Sequence, residues 1–397
     1  MQLSFALILA AAAGVYSAPV AQPAPLLEAR QGTAIPGKYI VKMKDSGATN
    51  TTTAALKLLN KSANTVYTLN GFQGFAAEIS DSVVMALRLL PTVDYIEKDA
   101  IIKAAFVTEG FEKRALTNQT SVPWGLGRIS NAKAGINTYR YDDSAGVDTC
   151  AYIIDTGIYT AHPDFEGRAS FLANFAGDGT KDDGHGHGTH VAGTVGSKTY
   201  GVAKKTKLFA IKVFNSSGSG TTSGVISAIN FAANDAKRRS CPKGSVANLS
   251  LAGPKSDALN TAVNKAVDSG LFVAVAAGNS AVDVSQMSPS SATSAFVVGA
   301  TDSSDKFAYF SNFGTNVDGL APGVSVLSTY NNGGTAVMSG TSMATPHVAG
   351  LAAYLLSLEG KIAPGALAAR IQTLSLKDKV TSVPAGTNNY LINNGNQ

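Results

Sequence analysis

The chain has 397 residues and a formal net charge of +5, with 45% apolar and 15% charged residues. This length is enough for two domains, and so low a charge content is not that of a disordered chain. The positive charge is spread along the sequence, without the Lys- and Arg-rich runs interleaved with aromatic residues that nucleic-acid-binding proteins carry. We therefore expect a globular protein without a nucleic-acid partner.

An apolar run over residues 3–15 opens the sequence and leads into small residues. The run is too short to cross a bilayer as a helix and has the length of a signal-peptide core. No later stretch is both long enough and apolar enough for a membrane helix. We predict a signal peptide over residues 1–19, a secreted, extracellular protein and no membrane partner.

Residues 36–103 predict a small α+β domain. Strand and helix patterns alternate in this part, with strands predicted at residues 39–41, 72–79 and 93–97 and helices at residues 54–59 and 81–90. Asp81 and Ser82 are suited to cap the second helix, and a proline ends it. The charged stretch of residues 109–114, which ends in a dibasic pair, then indicates an exposed connector.

From about Ser121 the pattern changes to apolar strands that alternate with helices. Strands are predicted at residues 151–154, 208–213, 246–251, 272–276 and 296–299, and helices at residues 223–237, 258–269 and 345–358. Solidly apolar strands separated by helices predict an α/β fold with a mainly parallel sheet covered on both faces. Active-site residues of such folds gather beyond the carboxyl ends of the strands.

Three short segments carry an acid, a histidine and a serine, in that order. Asp155 follows a buried strand and precedes a Gly turn, and His187 opens a helix of small residues. Ser342 lies where another helix begins, with Pro346 expected in its first turn. Taken singly, Asp155 would be a turn cap and Ser342 a helix cap. Together they predict acyl transfer, because a serine nucleophile needs an imidazole base that a buried carboxylate holds in one tautomer.

The amino-acid sequences of these segments resemble motifs of the subtilase family, and within it those of the fungal proteinase K group. Residues 340–350 are close to its serine signature, and residues 122–126 resemble the start of its mature enzymes. The chain order Asp, His, Ser is also the subtilisin order. The resemblance covers nearly the whole chain and implies a subtilisin-like three-layer fold. It also implies a serine endopeptidase in which Ser342 attacks the peptide, His187 moves the proton and Asp155 orients His187.

The resemblance further implies the residues around the reacting bond. Asn279 stands where the family has the Asn that stabilises the oxyanion, together with the backbone N–H of Ser342. Two segments resemble the edges that bind an extended peptide as an added strand, namely Gly218, Ser219 and Gly220, and Ser250, Leu251, Ala252 and Gly253. The pocket for the side chain before the scissile bond would be lined by Ala276, Ala277 and Gly278.

Neither edge segment contains an acidic residue that could bind Lys or Arg. We therefore predict broad cleavage of protein and peptide substrates after apolar or aromatic residues by a monomeric enzyme. Ala252 stands where relatives commonly have Gly, and its methyl group would narrow the groove.

Two other classes of function stay open. His185, His187 and His190 are closely spaced, as in a metallohydrolase, but the segment lacks the Glu base of a zinc helix and its glycines oppose a rigid ligand helix. The resemblance instead makes His187 catalytic, His190 structural and His185 an accidental surface neighbour. A non-catalytic binding protein with the same fold is disfavoured because all four chemical positions are filled.

The two cysteines, Cys150 and Cys241, permit one disulfide or two buried thiols, and their spacing does not decide between these. The proteinase K group joins the matching positions by a disulfide. A second bridge of that group is absent here, since Phe296 stands at one of its positions. Val191 replaces the free Cys that those relatives carry beside the catalytic His.

No cofactor is implied for catalysis, whereas a structural Ca²⁺ ion is. The resemblance assigns one calcium site to the carboxylate of Asp318 and the backbone carbonyl groups of Thr293 and Ala295. Asp318 as a plain turn residue is the alternative. Thr373 stands at the carboxylate position of a second family site, which indicates that this second site is lost.

Five Asn-x-Ser/Thr sequons occur in the chain. Asn118 and Asn215 are the predicted glycosylation sites. Asn248 lies within a predicted buried strand and is expected to be unmodified.

Residues 36–103 resemble the inhibitory, ferredoxin-like pro-segments of the family. A fold dominated by non-local strand pairing forms slowly, so a separate domain that docks on it can act as a template and then block the cleft. We predict a propeptide over residues 20–114, cleavage near Arg114, and a peptidase domain over residues 115–397. The propeptide would be the intramolecular chaperone and inhibitor of this enzyme.

Overall fold

The computed structural model describes residues 22–28, 34–44, 51–59, 63–69, 71–104 and 122–395. Four predicted features lie outside these ranges: the signal peptide, the charged connector, the cleavage position near Arg114 and the sequon at Asn118. The described residues form a small N-terminal domain and a larger C-terminal domain.

The N-terminal domain is a sheet with two short helices. Its strands are β1 (Leu26–Leu27), β2 (Ala34–Met43), β3 (Thr65–Leu69), β4 (Phe72–Glu78) and β5 (Val93–Ala104). Its helices are α1 (Thr51–Leu56) and α2 (Asp81–Arg88). The strands pair antiparallel in the order β3-β4-β2-β5, and β1 adds to β5 in parallel. Val41, Phe75 and Leu87 belong to the apolar core of this domain.

The predicted capping of helix α2 is wrong. The helix begins at Asp81 behind Ser80, and no side chain accepts a capping hydrogen bond there. The Asp81 carboxylate instead accepts a hydrogen bond from the Tyr39 hydroxyl at 3.2 Å, and the hydroxyl groups of Ser80 and Ser82 bind each other.

The C-terminal domain contains the remaining helices and strands. The helices are α3 (Trp124–Arg128), α4 (His187–Gly196), α5 (Thr222–Arg238), α6 (Asp257–Asp268), α7 (Thr341–Glu359) and α8 (Pro364–Leu374). The strands are β6 (Thr149–Asp155), β7 (Ala169–Asn174), β8 (Lys207–Lys212), β9 (Ser219–Thr221), β10 (Gly244–Leu249), β11 (Leu251–Pro254), β12 (Phe272–Ala276), β13 (Met287–Ser288), β14 (Phe296–Thr301), β15 (Gly319–Pro322), β16 (Val326–Thr329), β17 (Thr335–Met338), β18 (Leu376–Lys377) and β19 (Tyr390–Leu391).

Nine of these strands form one central sheet, in the order β18-β19-β15-β14-β12-β10-β6-β8-β7. Every neighbouring pair is parallel except β18 and β19. Helices α5 and α6 pack on one face, and α4, α7 and α8 pack on the other. Strand β6 is buried on both faces of the sheet, because Tyr152 packs in the core with α5 and α6 and Ile153 packs in the core with α4, α7 and α8. The predicted three-layer α/β fold is confirmed.

The predicted strand at residues 246–251 is two strands that belong to different sheets. Strand β10 stays in the central sheet, whereas β11 leaves it after Ser250 and pairs with β5 of the N-terminal domain and with β13. Periodicity alone could not reveal this break, because residues on both sides of Ser250 are buried.

Cys150 and Cys241 form a disulfide, as the resemblance implied, with 5.9 Å between their Cα atoms. The bond joins strand β6 to the turn before β10, which are neighbours in the sheet. It closes a loop across 91 positions of the sequence.

Replacing both cysteines with serine should lower the free energy of unfolding by about 4–5 kcal/mol, because a cross-link over 91 positions restricts the unfolded chain. For a domain of this size we expect the Tm to fall by roughly 7–9 °C, measured by circular dichroism on full-length chains that also carry Ser342→Ala to prevent self-cleavage. Cys150→Ser alone is the matched control and should lower the Tm equally. An unchanged Tm in the double variant would contradict the prediction.

Candidate active site

The structure brings the acid, the histidine and the serine to one edge of the central sheet. Asp155 is the last residue of β6, His187 the first residue of α4 and Ser342 the second residue of α7. All three side chains are fully buried. The segments are far apart in the sequence and meet because parallel strands and their following helices share one end of the sheet.

A short hydrogen bond joins the acid to the histidine. His187 Nδ1 lies 2.7 Å from Asp155 Oδ1, and the backbone N–H of Thr156 donates to the same oxygen at 2.7 Å. An ionised carboxylate only accepts hydrogen bonds, so Nδ1 carries the proton. In the neutral imidazole, Nε2 is therefore the basic nitrogen.

Ser342 is held by Ser250 at two points. The Ser342 hydroxyl donates to the Ser250 backbone carbonyl oxygen at 3.0 Å, and the Ser250 hydroxyl donates to the Ser342 carbonyl oxygen at 2.8 Å. Pro346 explains why this carbonyl is available, because Pro lacks the N–H that would bind it within the helix. Pro346 therefore lies inside α7 and not in its first turn, which corrects the expectation from the sequence.

The carboxamide of Asn279 is oriented by the residue before the serine. Its Oδ1 accepts hydrogen bonds from the Thr341 backbone N–H at 2.9 Å and from the Thr341 hydroxyl at 2.8 Å. Nδ2, at the other end of the amide, is buried and has no hydrogen-bond partner among the described residues. A buried donor without an acceptor is costly, which indicates an acceptor that is supplied during function.

An extended strand lies between the two predicted substrate-binding edges. The end of β5 pairs antiparallel with β9, where Lys103 is opposite Ser219, Ile102 opposite Gly220 and Ile101 opposite Thr221. It also pairs antiparallel with β11, where Lys103 is opposite Ala252 and Ala104 opposite Leu251. The N-terminal domain thus inserts its last described residues as a third strand between both edges.

Small residues are necessary beside this strand. A Cβ atom at Gly253 would lie 2.1 Å from Cγ1 of Ile102, and one at Gly278, whose φ is +104°, would lie 2.4 Å from Nδ2 of Asn312. Ala276 and Ala277 are fully buried at the end of β12, and Gly218 is buried in the turn before β9.

Asn312 holds the loop that carries Asn279, a role that sequence reasoning missed. Its Nδ2 donates to the Ala277 carbonyl oxygen at 2.8 Å, and its Oδ1 accepts from the backbone N–H groups of Ser280 and Val282. Asn312 lies 33 positions after Asn279, and no local pattern marks such a contact. Sequence reasoning also missed that Thr341 orients Asn279, although its position next to Ser342 could have indicated a role in the site.

The other two histidines of the α4 segment differ from each other. His190 is buried, and its Nε2 contacts the carbonyl oxygens of Val326 at 3.0 Å and Ala336 at 3.2 Å. Burial lowers the pKa of His190 to about 3, so it is neutral and structural. His185 is half-buried, with its ring centroid 6.3 Å from that of His187.

The three residues proposed as calcium ligands from the sequence lie at the starts of two adjacent strands. Thr293 and Ala295 precede β14, and Asp318 directly precedes β15. The Asp318 carboxylate accepts a hydrogen bond from the Val297 N–H at 2.8 Å, and burial raises its pKa to about 6. Among the described residues no group of three or more His, Cys, Asp or Glu side chains could hold a metal.

Two family models match the chain. Residues 149–390 match the subtilase family, and residues 38–105 match the peptidase inhibitor I9 family. The chain belongs to the subtilase family of serine proteases. It is 50% identical over 375 residues to the cuticle-degrading protease of Metarhizium anisopliae, which covers 94% of each chain.

Further relatives agree with this assignment. The chain is 55% identical over 302 residues to proteinase T of Parengyodontium album, covering 76% of this chain and 99% of that protein. The crystal structure of a cold-adapted subtilisin-like serine proteinase is also similar, with a TM-score of 0.66 and 42% identity. It covers 69% of this chain and 99% of the other. None of the helices in the described ranges could cross a membrane.

The inhibitor domain of this subtilase caps two helices of the peptidase domain, a contact that the sequence did not reveal. Glu97 Oε2 accepts a hydrogen bond at 2.9 Å from the N–H of Ala258, near the start of α6. Asp99 accepts hydrogen bonds from the backbone N–H and the hydroxyl of Ser223, near the start of α5. The first N–H groups of a helix have no acceptor within it, so both carboxyl groups satisfy donors that would otherwise be unpaired and are well placed to dock the domain.

Apolar contacts accompany this capping. Tyr67, Leu69 and Phe72 of the inhibitor domain are fully buried in the same core cluster as the inner sides of α5 and α6. Burial raises the pKa of Glu97 and of Asp99 above their ordinary values of 4.5 and 3.8. The positive charge of Lys38 has the opposite effect and lowers the pKa of Asp99.

The docked chain should lose stability as these two carboxyl groups ionise. Because their pKa values are raised in the folded chain, their contribution is fully present below the ordinary values and is lost as the pH rises through the raised ones. As the pH rises from about 4 to about 8, we expect the Tm of the double variant Glu97→Gln with Asp99→Asn to fall less than the Tm of the parent. Both proteins would carry Ser342→Ala, which prevents self-cleavage.

The matched control for this measurement is Glu78→Gln, a change at an exposed carboxylate of the same sheet. It should leave the pH dependence of the Tm as in the parent. Equal slopes in the parent and the double variant would show that the two buried carboxyl groups do not produce the pH dependence.

Proposed function

We propose that this protein is a secreted serine endopeptidase that cleaves peptide bonds through an acyl-enzyme formed on Ser342. The observation that carries the proposal is the buried hydrogen bond between Asp155 and His187. It leaves His187 Nε2 as the base of a site that also contains a buried serine and the unused amide donor of Asn279.

The reaction uses these groups in two halves. The Ser342 hydroxyl exchanges its hydrogen bond with Ser250 for one with His187 Nε2, and its oxygen attacks the peptide carbonyl carbon as Nε2 takes the proton. Asn279 Nδ2 and the Ser342 N–H stabilise the oxyanion. The C–N bond then breaks, and His187 gives the proton to the leaving amine. Water, deprotonated by His187, hydrolyses the ester and restores the serine.

Substrate would bind as the end of β5 does, as an extended strand between β9 and β11. Backbone pairing of this kind accepts any sequence, so the preference depends on pockets. Ala276, Ala277 and Gly278 line the pocket without an acidic group, which supports apolar or aromatic residues before the scissile bond. The methyl group of Ala252 faces Gly278 and would limit the size of the residue accepted. One relative is named for degrading cuticle; for this enzyme we propose proteins in general.

The precursor would be processed in two steps. A signal peptide of residues 1–19 directs secretion, and cleavage near Arg114 separates the propeptide, residues 20–114, from a monomeric peptidase domain of residues 115–397. The inhibitor domain supports this order, because it occupies both substrate edges while docked. Asn215 and Asn118 are the proposed glycosylation sites, and Asn215 lies in a surface turn beside β9.

A fluorophosphonate probe tests the chemistry, because it reacts only with an activated serine. The full-length chain should process itself, bind the probe and hydrolyse casein, whereas Ser342→Ala should do none of these. Asn279→Leu should lower kcat by about 100–1,000-fold with little change in KM, as loss of the corresponding donor does in subtilisin. Asn234→Leu on α5 is the matched control and should retain full activity. A folded wild-type chain that neither binds the probe nor cleaves peptides would identify a non-catalytic binding protein.

We also propose that Asp318 and the carbonyl groups of Thr293 and Ala295 hold a structural Ca²⁺ ion. The raised pKa of Asp318 supports this, because a cation would offset the cost of a buried negative charge. Hard oxygen ligands of this kind suit calcium. The ion would stabilise the fold and take no part in the chemistry.

Calcium should raise the Tm more above pH 6 than below it. Without the ion, the favourable effect of a protonated Asp318 is lost as the pH rises through its pKa of about 6, and calcium binds the ionised form that then remains. At 100 times its Kd, calcium should add about 2.7 kcal/mol to the free energy of unfolding. The measurement compares calcium with a chelator by calorimetry of the Ser342→Ala chain. A calcium effect of the same size in Asp318→Asn would refute this site.

A further inference from the structure

One buried carboxylate near the site, that of Asp183, takes no part in the proposed reaction. Asp183 lies four positions before His187, and only 2% of its surface is exposed. It does not cap α4 in the usual way, because the N-cap residue is Gly186. Buried carboxylates need hydrogen bonds or a cation to offset desolvation, so the partners of Asp183 show what it does.

Five hydrogen bonds end on the two oxygens of Asp183, and all come from neutral donors. Oδ1 accepts from the Thr156 hydroxyl at 2.7 Å, the Gly186 N–H at 2.7 Å and the His185 N–H at 3.1 Å. Oδ2 accepts from the N–H of Thr189 at 2.8 Å and from its hydroxyl at 2.6 Å. Four of these donors belong to the segment that contains His187, and the fifth belongs to the residue after Asp155.

Thr156 completes the connection between the two catalytic segments. Its hydroxyl oxygen accepts a hydrogen bond from the Gly188 N–H at 2.9 Å while its hydrogen goes to Asp183. Thr156 follows Asp155 and Gly188 follows His187, so both members of the catalytic pair are bound through their next residue in the chain.

The backbones of the two segments are in contact at this point. A Cβ atom at Gly188 would lie 2.1 Å from the Gly157 carbonyl oxygen and 3.2 Å from Cβ of Asp155. With no side chain between them, a change in the separation of the segments would be transmitted directly to the Asp155–His187 hydrogen bond. A misplacement of about 1 Å in such a site can lower the rate by about 100-fold.

We propose that Asp183 is a positioning residue of the peptidase reaction, whose carboxylate fixes the Asp155 turn to the start of α4 and so sets the geometry of the Asp155–His187 pair. The inference rests on the proposed function. Asp183 belongs to neither substrate-binding edge, and its carboxylate binds the Asp155 and His187 segments, so it acts through these residues.

Asp183→Asn is the direct test, since the amide keeps the shape and replaces one acceptor oxygen with a donor. Whichever way the amide is placed, an N–H group would face N–H or hydroxyl donors. The connection between the Asp155 turn and the start of α4 would then weaken. We expect kcat to fall by about 10–100-fold and KM to stay within about twofold, because the substrate edges are untouched. Rates are measured after self-processing of the full-length chain and divided by the fraction of molecules that react with the fluorophosphonate probe.

Thr156→Val is the second variant and keeps the test valid if Asp183→Asn does not fold. Val has the shape of Thr without the hydroxyl, so we expect kcat to fall by about tenfold with KM unchanged. The two changes break one connection, so the double variant should lose no more than about threefold beyond Asp183→Asn alone.

The matched control is Asp305→Asn, which weakens the part-buried ion pair of Asp305 with Arg128, at 2.7 and 2.9 Å, a pair outside the Asp155 and His187 segments. It should lower the Tm and leave kcat unchanged. A kcat within twofold of wild type in Thr156→Val, or in a folded Asp183→Asn, would overturn the positioning role. A rise in KM without a fall in kcat would also overturn it. These outcomes are distinct from failure of the proposed function, which would appear as an inactive wild-type chain or as activity retained in Ser342→Ala.

Discussion

The buried hydrogen bond between His187 and Asp155 is the interaction on which the rest of this site depends. Both side chains are fully buried, so the carboxylate charge is stabilised by hydrogen bonds and not by water. The hydrogen bond to the carboxylate places the imidazole proton on Nδ1 and so fixes one tautomer, which is the condition for Nε2 to act as a base. Asp155 and His187 are 32 positions apart in the sequence, so the surrounding structure has to hold their two segments at a fixed separation.

The fold holds Asp155 and His187 together because the backbones of their two segments are in contact at the end of the sheet. Strand β6 ends at Asp155, and glycine at position 188 lets the start of α4 approach it directly. The serine is held in a related way, because Pro346 leaves the Ser342 carbonyl to the hydroxyl of Ser250. The inhibitor domain contacts the same domain, since its last strand pairs with both β9 and β11.

Much of this arrangement could be predicted from the sequence. The central strands follow from solid apolar runs, and the contact between Asp155 and His187 follows from motifs whose residues are specific to the family. Contacts between distant residues could not be predicted in this way. Asn312, Glu97 and Asp99 act through partners more than 30 positions away, and no local periodicity marks such residues. Pro346 was misplaced because sequence patterns locate helix boundaries to only a few residues.

Proton NMR of the full-length Ser342→Ala chain tests the central claim most directly. A proton shared in a short, buried imidazole–carboxylate hydrogen bond resonates far downfield and exchanges slowly with water. The account predicts one such resonance, assigned to His187 Nδ1, that disappears in His187→Gln and in Asp155→Ala. Absence of the resonance from the parent chain, or its persistence in Asp155→Ala, would contradict the account.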